Sequence, residues 1–261
     1  MSETHWNTRI LHWDRIKPPL RPHQNSINTQ INLVGDKTNY VLVLGMTPEL
    51  TGAFENVTAV DKEPRMVEHF WKGDSANRRG ILADWFDVDL PDSYFTAIVG
   101  DGSLNLVGFP NGVSQLLEKL LGLMAPGGVF AVRAFSRPDE PVSKEDVLTN
   151  GLRMPLDAFR CYLNMHIAST EGTVIPSKRM LQVFNDLFPD RIAICEKTGW
   201  DINDVSFSMD AYRNSTASTA YPTKSQWLST VPSAAVDARM VVTSGYPLAE
   251  NYPILTFRKA A

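Results

Sequence analysis

The sequence predicts an α/β fold, a doubly wound and mostly parallel sheet, on three observations. Short β-branched apolar runs recur from Tyr40 onward, helix-like segments separate them, and the runs are apolar throughout rather than alternating. A strand buried on both faces reads as a continuous apolar run, whereas a strand with one wet face alternates. The runs fall at residues 41–44, 57–60, 80–83, 96–99 and 129–132. Helices are expected at 48–54, 65–72 and 112–123, with a loop between the third and fourth strands. Pro126-Gly127-Gly128 then turns the chain from the third of these helices into the fifth strand.

Residues 1–39 differ in texture. They are polar and rich in Trp, His and Pro, with a short helical stretch at 10–16 that must stop at Pro18-Pro19. They are expected to form an N-terminal arm on a domain spanning 40–261. After Phe135 the chain turns polar and helical, with candidates at 144–148, 156–167, 177–187 and 224–230, so an insertion or lid is expected at about 136–238. Two late strands, at 239–244 and 254–258, are separated by GYPLAENYP and suit a C-terminal antiparallel hairpin on the sheet edge.

With 261 residues, 43% of them hydrophobic, the chain can bury a substantial core as one main domain. Its 25 basic and 29 acidic residues leave a formal charge of −4, which gives no general attraction to phosphates, and no nucleic-acid partner is expected. No apolar run approaches membrane-spanning length and the first residues do not read as a signal peptide. No membrane partner and a cytoplasmic location are therefore expected. Cys161 and Cys195 read as reduced, buried thiols, and the nearness of His166 to Cys161 reads as structural, so no metal is assigned. The oligomeric state is left open.

In an open parallel sheet, ligands sit beyond the carboxyl ends of the strands, so chemistry is sought there. The first strand runs into VLVLGMTPEL, where Gly45 permits close backbone approach, Thr47 can cap, and Pro48 fits the first helical position with Glu49 beside it. A pyrophosphate loop needs further glycines where Thr47 and Leu50 stand, which argues against a dinucleotide. The second strand ends in Asp61, whose two oxygens can accept from vicinal ribose hydroxyls. Taken alone, it can equally cap the helix beginning near Pro64. The third ends in LADW: Asp84 can accept from an exocyclic adenine amine, and Trp85 can flank the ring or simply cover the sheet edge. The fourth ends in the polar turn 100–105, containing Asp101 and Gly102.

In order and spacing, VLVLGMTPEL, TAVDKEPRMV, ILADW, TAIVGDGSLN and LMAPGGVFAV resemble the successive motifs of class I, Rossmann-like methyltransferases, over about residues 40–135. The resemblance implies S-adenosylmethionine as cofactor. It places Gly45, Met46 and Thr47 under the methionine part, Asp61 on the ribose, and Lys62 and Met66 beside the adenosine. Asp84 and Trp85 then meet the adenine, while Asp101 and Gly102 face the amino acid end and the acceptor. The chain departs from the family at the first turn, where Val43 replaces an acidic residue and MTPEL replaces further glycines. The Asn/Asp-Pro-Pro-aromatic motif of amino-methylating DNA enzymes is absent.

The expected activity is methyl transfer to a small-molecule acceptor. A non-catalytic cofactor-binding module and a nicotinamide-dependent oxidoreductase are the alternatives. Direct displacement depends chiefly on alignment and exclusion of water, so no catalytic residue is singled out. Asp101 and the arm histidines His5, His12 and His23 are the candidates if a base is needed. Trp6 and Trp13 either line an acceptor pocket or pack on the domain, and Arg15, Lys17 and Arg21 either attract an anionic acceptor or form solvated surface.

Overall fold

Every apolar run becomes a strand in the computed structural model, which describes residues 10–36 and 39–261. The strands are β1 (Tyr40–Leu44), β2 (Asn56–Asp61), β3 (Arg78–Leu82), β4 (Phe95–Asp101) and β5 (Met124–Arg133). Two short strands, β6 (Val174–Pro176) and β7 (Ser218–Ala220), pair with each other, and β8 (Ala235–Val241) and β9 (Ile254–Lys259) complete the main sheet. The sheet order is β3-β2-β1-β4-β5-β9-β8. β1 to β5 are parallel, whereas β9 is antiparallel to both of its neighbours.

Alternation along β1 assigns its residues to two apolar layers, since successive side chains point to opposite faces. Val41 and Val43 join one cluster with residues of α1 (Gln24–Val34), α2 (Pro48–Thr51) and α3 (Pro64–Phe70). Leu42 and Leu44 join the other, built on the apolar stripe Val113, Leu116, Leu117 and Leu120 of α4 (Asn111–Leu123). No helix joins β3 to β4, and Trp85, Val88 and Leu90 of that connection pack against the second layer instead. The insertion contains α5 (Lys144–Thr149), α6 (Leu156–Thr170), α7 (Ser177–Leu187), α8 (Arg191–Thr198) and α9 (Ile202–Asp210). These helices pack on a core of their own around Phe159, Leu163, Phe184 and Val205. After them α10 (Lys224–Leu228) returns Trp227 to the second layer of the sheet. Among the described residues no helix is long and apolar enough to cross a membrane.

Two elements differ from expectation. The arm is more than a strap, because α1 buries Ser26, Ile27, Gln30 and Val34 and forms part of a helical layer of the domain. Its polar sequence conceals this: Gln30 is fully buried, and its amide donates to the carbonyls of Gly100 (2.8 Å) and Ala131 (2.9 Å). His23 accepts from the Asn25 N–H at the start of α1, and Gly35, at a φ of 85°, closes it. In the insertion, α8 and α9 are capped by Asp190 and Asp201, while Gly199 ends α8 in the left-handed region. The terminal hairpin does lie on the sheet edge as expected, with β9 joined to β5 and β8 outermost. β8 itself begins at Ala235, earlier than expected, across an irregularity between Val236 and Arg239 where Asp237 has a φ of 57°.

Replacing Gln30 by Ala removes two buried hydrogen bonds, and the expected cost is about 1–3 kcal/mol in urea unfolding with an unchanged denaturant slope. Gln30→Leu, which fills the same space without the amide, is expected to be less destabilising than Gln30→Glu, which buries a charge.

Candidate active site

β1 and β4 are adjacent in the sheet, and the chain winds outward from them in opposite directions, which makes their carboxyl ends the switch point of the topology. A cavity of about 520 Å³ opens there, within the size range of small-molecule sites. Its wall includes every residue expected at the site: Gly45, Met46, Thr47, Asp61, Lys62, Met66, Asp84, Trp85, Asp101 and Gly102.

Gly45 leaves β1 with a φ of 100°, a conformation that L side chains rarely adopt, and its N–H donates to the Val60 carbonyl at 2.8 Å. That turn aims the Met46 N–H at Asp61 Oδ2 (3.2 Å), while the Glu63 N–H donates to Oδ1 (2.9 Å). Asp61 thus stands upright at the end of β2, only 8% exposed. Burial pushes its carboxyl up to about 6, against the pull of the two N–H groups. A carboxylate offers about four acceptor positions. The two already filled leave room for two further donors from the cavity.

The turn that follows suits an anion poorly. Thr47 occupies the N-cap of α2 without making a capping hydrogen bond, Pro48 supplies no N–H, and Glu49 adds a negative charge in a helix only four residues long. Across the cavity Asp84 accepts from the Phe86 N–H (3.1 Å) and pairs with Lys62 (3.1 Å). Burial raises the Asp84 carboxyl, but these contacts outweigh it and hold the group below its ordinary value. Trp85 donates its indole N–H to the Val60 carbonyl at 2.7 Å, which fixes the ring beside the carboxyl end of β2. Met66 is buried on α3.

Asp101 is not available as a base. Its carboxylate is bound by both Nε and Nη2 of Arg133, and both side chains are buried. Burial raises the Asp101 carboxyl and Arg133 works against the rise. Burial also lowers the Arg133 guanidinium, but Asp101 overcomes this and the group stays charged. The third guanidinium nitrogen of Arg133 donates to the Pro19 carbonyl at 2.8 Å, so the pair also holds the arm. Gly102 lies in the left-handed region and donates its N–H to the Arg133 carbonyl. A Cβ on Gly102 would fall 2.5 Å from the Phe135 ring, so the glycine lets that ring reach the cavity wall.

The remaining candidate bases are elsewhere. His12 meets the Phe207 ring edge-on, and His23 caps α1 and stacks on Tyr246, so neither lines the cavity. His5 and Trp6 lie outside the described residues. Trp13 does line the cavity, joined by Ile16 and Leu20 of the arm. Arg15 pairs with Asp204, Arg21 with Glu49, and Lys17 Nζ donates to the Asp14 carbonyl; none of the three is on the wall. His166 Nδ1 lies 2.7 Å from the Val142 carbonyl, and both cysteines are buried and free. Among the described residues no group of three or more His, Cys, Asp or Glu can hold a metal ion.

Sequence reasoning placed Ser103 and Asn105 in the polar turn at the mouth of the crevice but missed Arg133 and the wall residues Phe135, Asn164, Tyr212 and Tyr221. A usable signal existed for Arg133, a lone charge ending an apolar buried strand beside the polar turn of β4. Asn105 ties that turn to its neighbours, donating to the carbonyls of Phe135 (2.9 Å) and Ala220 (2.6 Å) and accepting from the Phe135 N–H (2.9 Å).

No protein-family model matches the chain, and no curated protein matches it in sequence. Solved structures do match it. One is the N-methyltransferase NodS from Bradyrhizobium japonicum WM9 in complex with S-adenosyl-l-homocysteine, at 13% identity over 98% of this chain and 100% of that one, with a TM-score of 0.51. Another is the 1,6-didemethyltoxoflavin-N1-methyltransferase of Burkholderia thailandensis with bound 1,6-didemethyltoxoflavin and S-adenosylhomocysteine, at 14% identity over 100% and 92% of the two chains, TM-score 0.52. A Rhodobacter sphaeroides protein assigned to the Zn-dependent alcohol dehydrogenases matches at 13% identity over 97% and 98%, TM-score 0.58. The chain shares the Rossmann-like α/β fold of these structures. At these identities the likeness is one of fold.

Replacing Arg133 by Met leaves Asp101 buried without its partner, and the expected cost is about 3–5 kcal/mol in chemical unfolding. Adding Asp101→Asn to that variant is expected to restore part of the loss. A double variant whose cost equals the sum of the Arg133→Met and Asp101→Asn costs would mean that the pair is not coupled.

Proposed function

We propose that the chain is an S-adenosylmethionine-dependent methyltransferase acting on a small-molecule acceptor. The observation that carries this is Asp61, a nearly buried carboxylate at the end of β2 with acceptor positions still open toward the cavity. Such a group suits the paired hydroxyls of a ribose. Asp84 and the fixed Trp85 lie where an adenine would follow, and Met66 supplies an apolar surface beside it. Gly45, Met46 and Thr47, facing Asp101 and Gly102 across the switch point, leave space for the amino acid end.

A dinucleotide fits this wall less well, since Pro48 and Glu49 remove the N–H groups and add the wrong charge where a pyrophosphate would lie. Among the described residues the one cation on the wall, Lys62, is engaged with Asp84. When bound, S-adenosylmethionine supplies an electrophilic methyl on a cationic sulfur, taken by a lone pair of the acceptor while the carbon–sulfur bonding pair stays on sulfur. The chain's own residues supply binding and alignment: the carboxylates on the β2 and β3 ends hold one end of the cavity, and Trp13, Ile16 and Leu20 of the arm shield it from water.

Calorimetric titration with S-adenosylmethionine and S-adenosylhomocysteine is expected to give micromolar-range binding, about −8 kcal/mol, which Asp61→Ala weakens at least tenfold, while NAD gives no heat. Absence of binding by the unmutated protein would overturn the proposal.

The affinity is also expected to depend on pH. Two donors from a ribose need the ionised Asp61, so binding should be constant above about pH 7 and weaken toward tenfold per unit below about 6. Asp61→Asn is expected to bind more weakly and to flatten that slope. An unchanged slope would remove Asp61 as its source.

A further inference from the structure

The cavity is divided by charge. Asp61, Lys62, Glu63 and Asp84 all lie on the side of β2 and β3. The opposite half is walled by Leu20 of the arm, the exit of β5 and the insertion, and the side chains it presents are neutral: Phe135, Asn164, Tyr212 and Tyr221 among them. Asp101, between the halves, is neutralised by Arg133. The nearest basic residues of the arm are turned to Asp204 and Glu49 instead.

We infer that this neutral half takes a planar, uncharged aromatic acceptor with a hydrogen-bonding edge. The inference rests on the methyltransferase reading and names the acceptor class for it. Among the described residues an anionic acceptor would find no free cation there, and a cationic one no free carboxylate, so either would lose hydration without compensation. A flat apolar molecule gains from desolvation against aromatic rings. Phe135 and Tyr221 approach each other with centroids 6.1 Å apart and planes inclined by 41°, a concave pair of apolar surfaces on the same wall.

The polar edge is read by neutral groups. Asn164 donates to the Tyr221 hydroxyl at 3.3 Å, and burial raises the Tyr221 phenol so far that it remains a neutral O–H.

The test is calorimetry on protein saturated with S-adenosylhomocysteine, using small probes at pH 7.5. Indole, quinoline and benzimidazole represent uncharged rings, benzoate an anionic ring, and spermidine an aliphatic cation. The uncharged rings are expected to bind at least tenfold more tightly than benzoate or spermidine. Asn164→Ala and Tyr221→Phe are expected to weaken quinoline and benzimidazole severalfold and to leave S-adenosylhomocysteine affinity unchanged. Tighter binding of benzoate or spermidine, or no ring binding at all, would overturn the acceptor class while the cofactor reading stands. If both variants bind the rings as the unmutated protein does, the assigned edge is wrong and the inference fails. Failure of S-adenosylhomocysteine itself to bind would take both readings down together.

Discussion

The buried pair between Asp101 and Arg133 is the constraint on which the rest of the site depends. Asp101 ends β4, Arg133 ends β5, and the guanidinium continues to the Pro19 carbonyl of the arm. Removing two charges from water is costly, and the cost is tolerated where geometry and additional hydrogen bonds compensate. Here the fork is filled on both sides, and its Cζ lies 5.4 Å and 5.3 Å from the ring centroids of Phe135 and Tyr252. One interaction therefore sets the height of two strand ends, the path of the arm across the mouth and the position of Phe135. It also commits the Asp101 carboxylate to Arg133.

That arrangement explains how a first turn lacking the usual acidic residue and glycines can still shape a ligand site. Val43 contributes only to the apolar layer, and the short α2 is tied down by the Arg21–Glu49 contact rather than held open for an anion. The carboxylate work is shifted to Asp61, whose orientation is set by backbone N–H groups on both sides of it. Because those donors come from the turn and from the start of the next helix, the geometry tolerates change in the turn's side chains.

The parallel strands and the residues of the cavity wall at their ends were legible because both depend on local sequence. Continuous apolar runs such as YVLVL report burial on two faces, and a polar residue just after such a run must lie at a strand end. Gly45, Asp61, Asp84 and Trp85 were found in that way. Residues whose meaning lies far along the chain were not. Arg133 makes sense only beside Asp101 and Pro19, and Asn164 only beside Tyr221. Gln30 looks like surface until the carbonyls of Gly100 and Ala131 are placed over it. The order of β8 and β9 was hidden for the same reason, since a hairpin signal fixes which strands pair but not which of them meets the rest of the sheet.

The position of β9 has a consequence for how the protein comes to be made. A strand near the end of the sequence sits in the interior of the sheet, hydrogen-bonded to β5 on one side and β8 on the other. During synthesis, β1 to β5 emerge first and have their own parallel partners, yet the outer edge of β5 stays open until β9 leaves the ribosome. For that interval the buried segment Val129–Val132 of β5 has unpaired backbone groups on one side, the circumstance in which sheets recruit the wrong partner. Closure waits on contacts between residues more than 100 positions apart, as with Phe130 and Phe257, whose rings stack at 4.5 Å, and pairings of such long sequence separation form slowly.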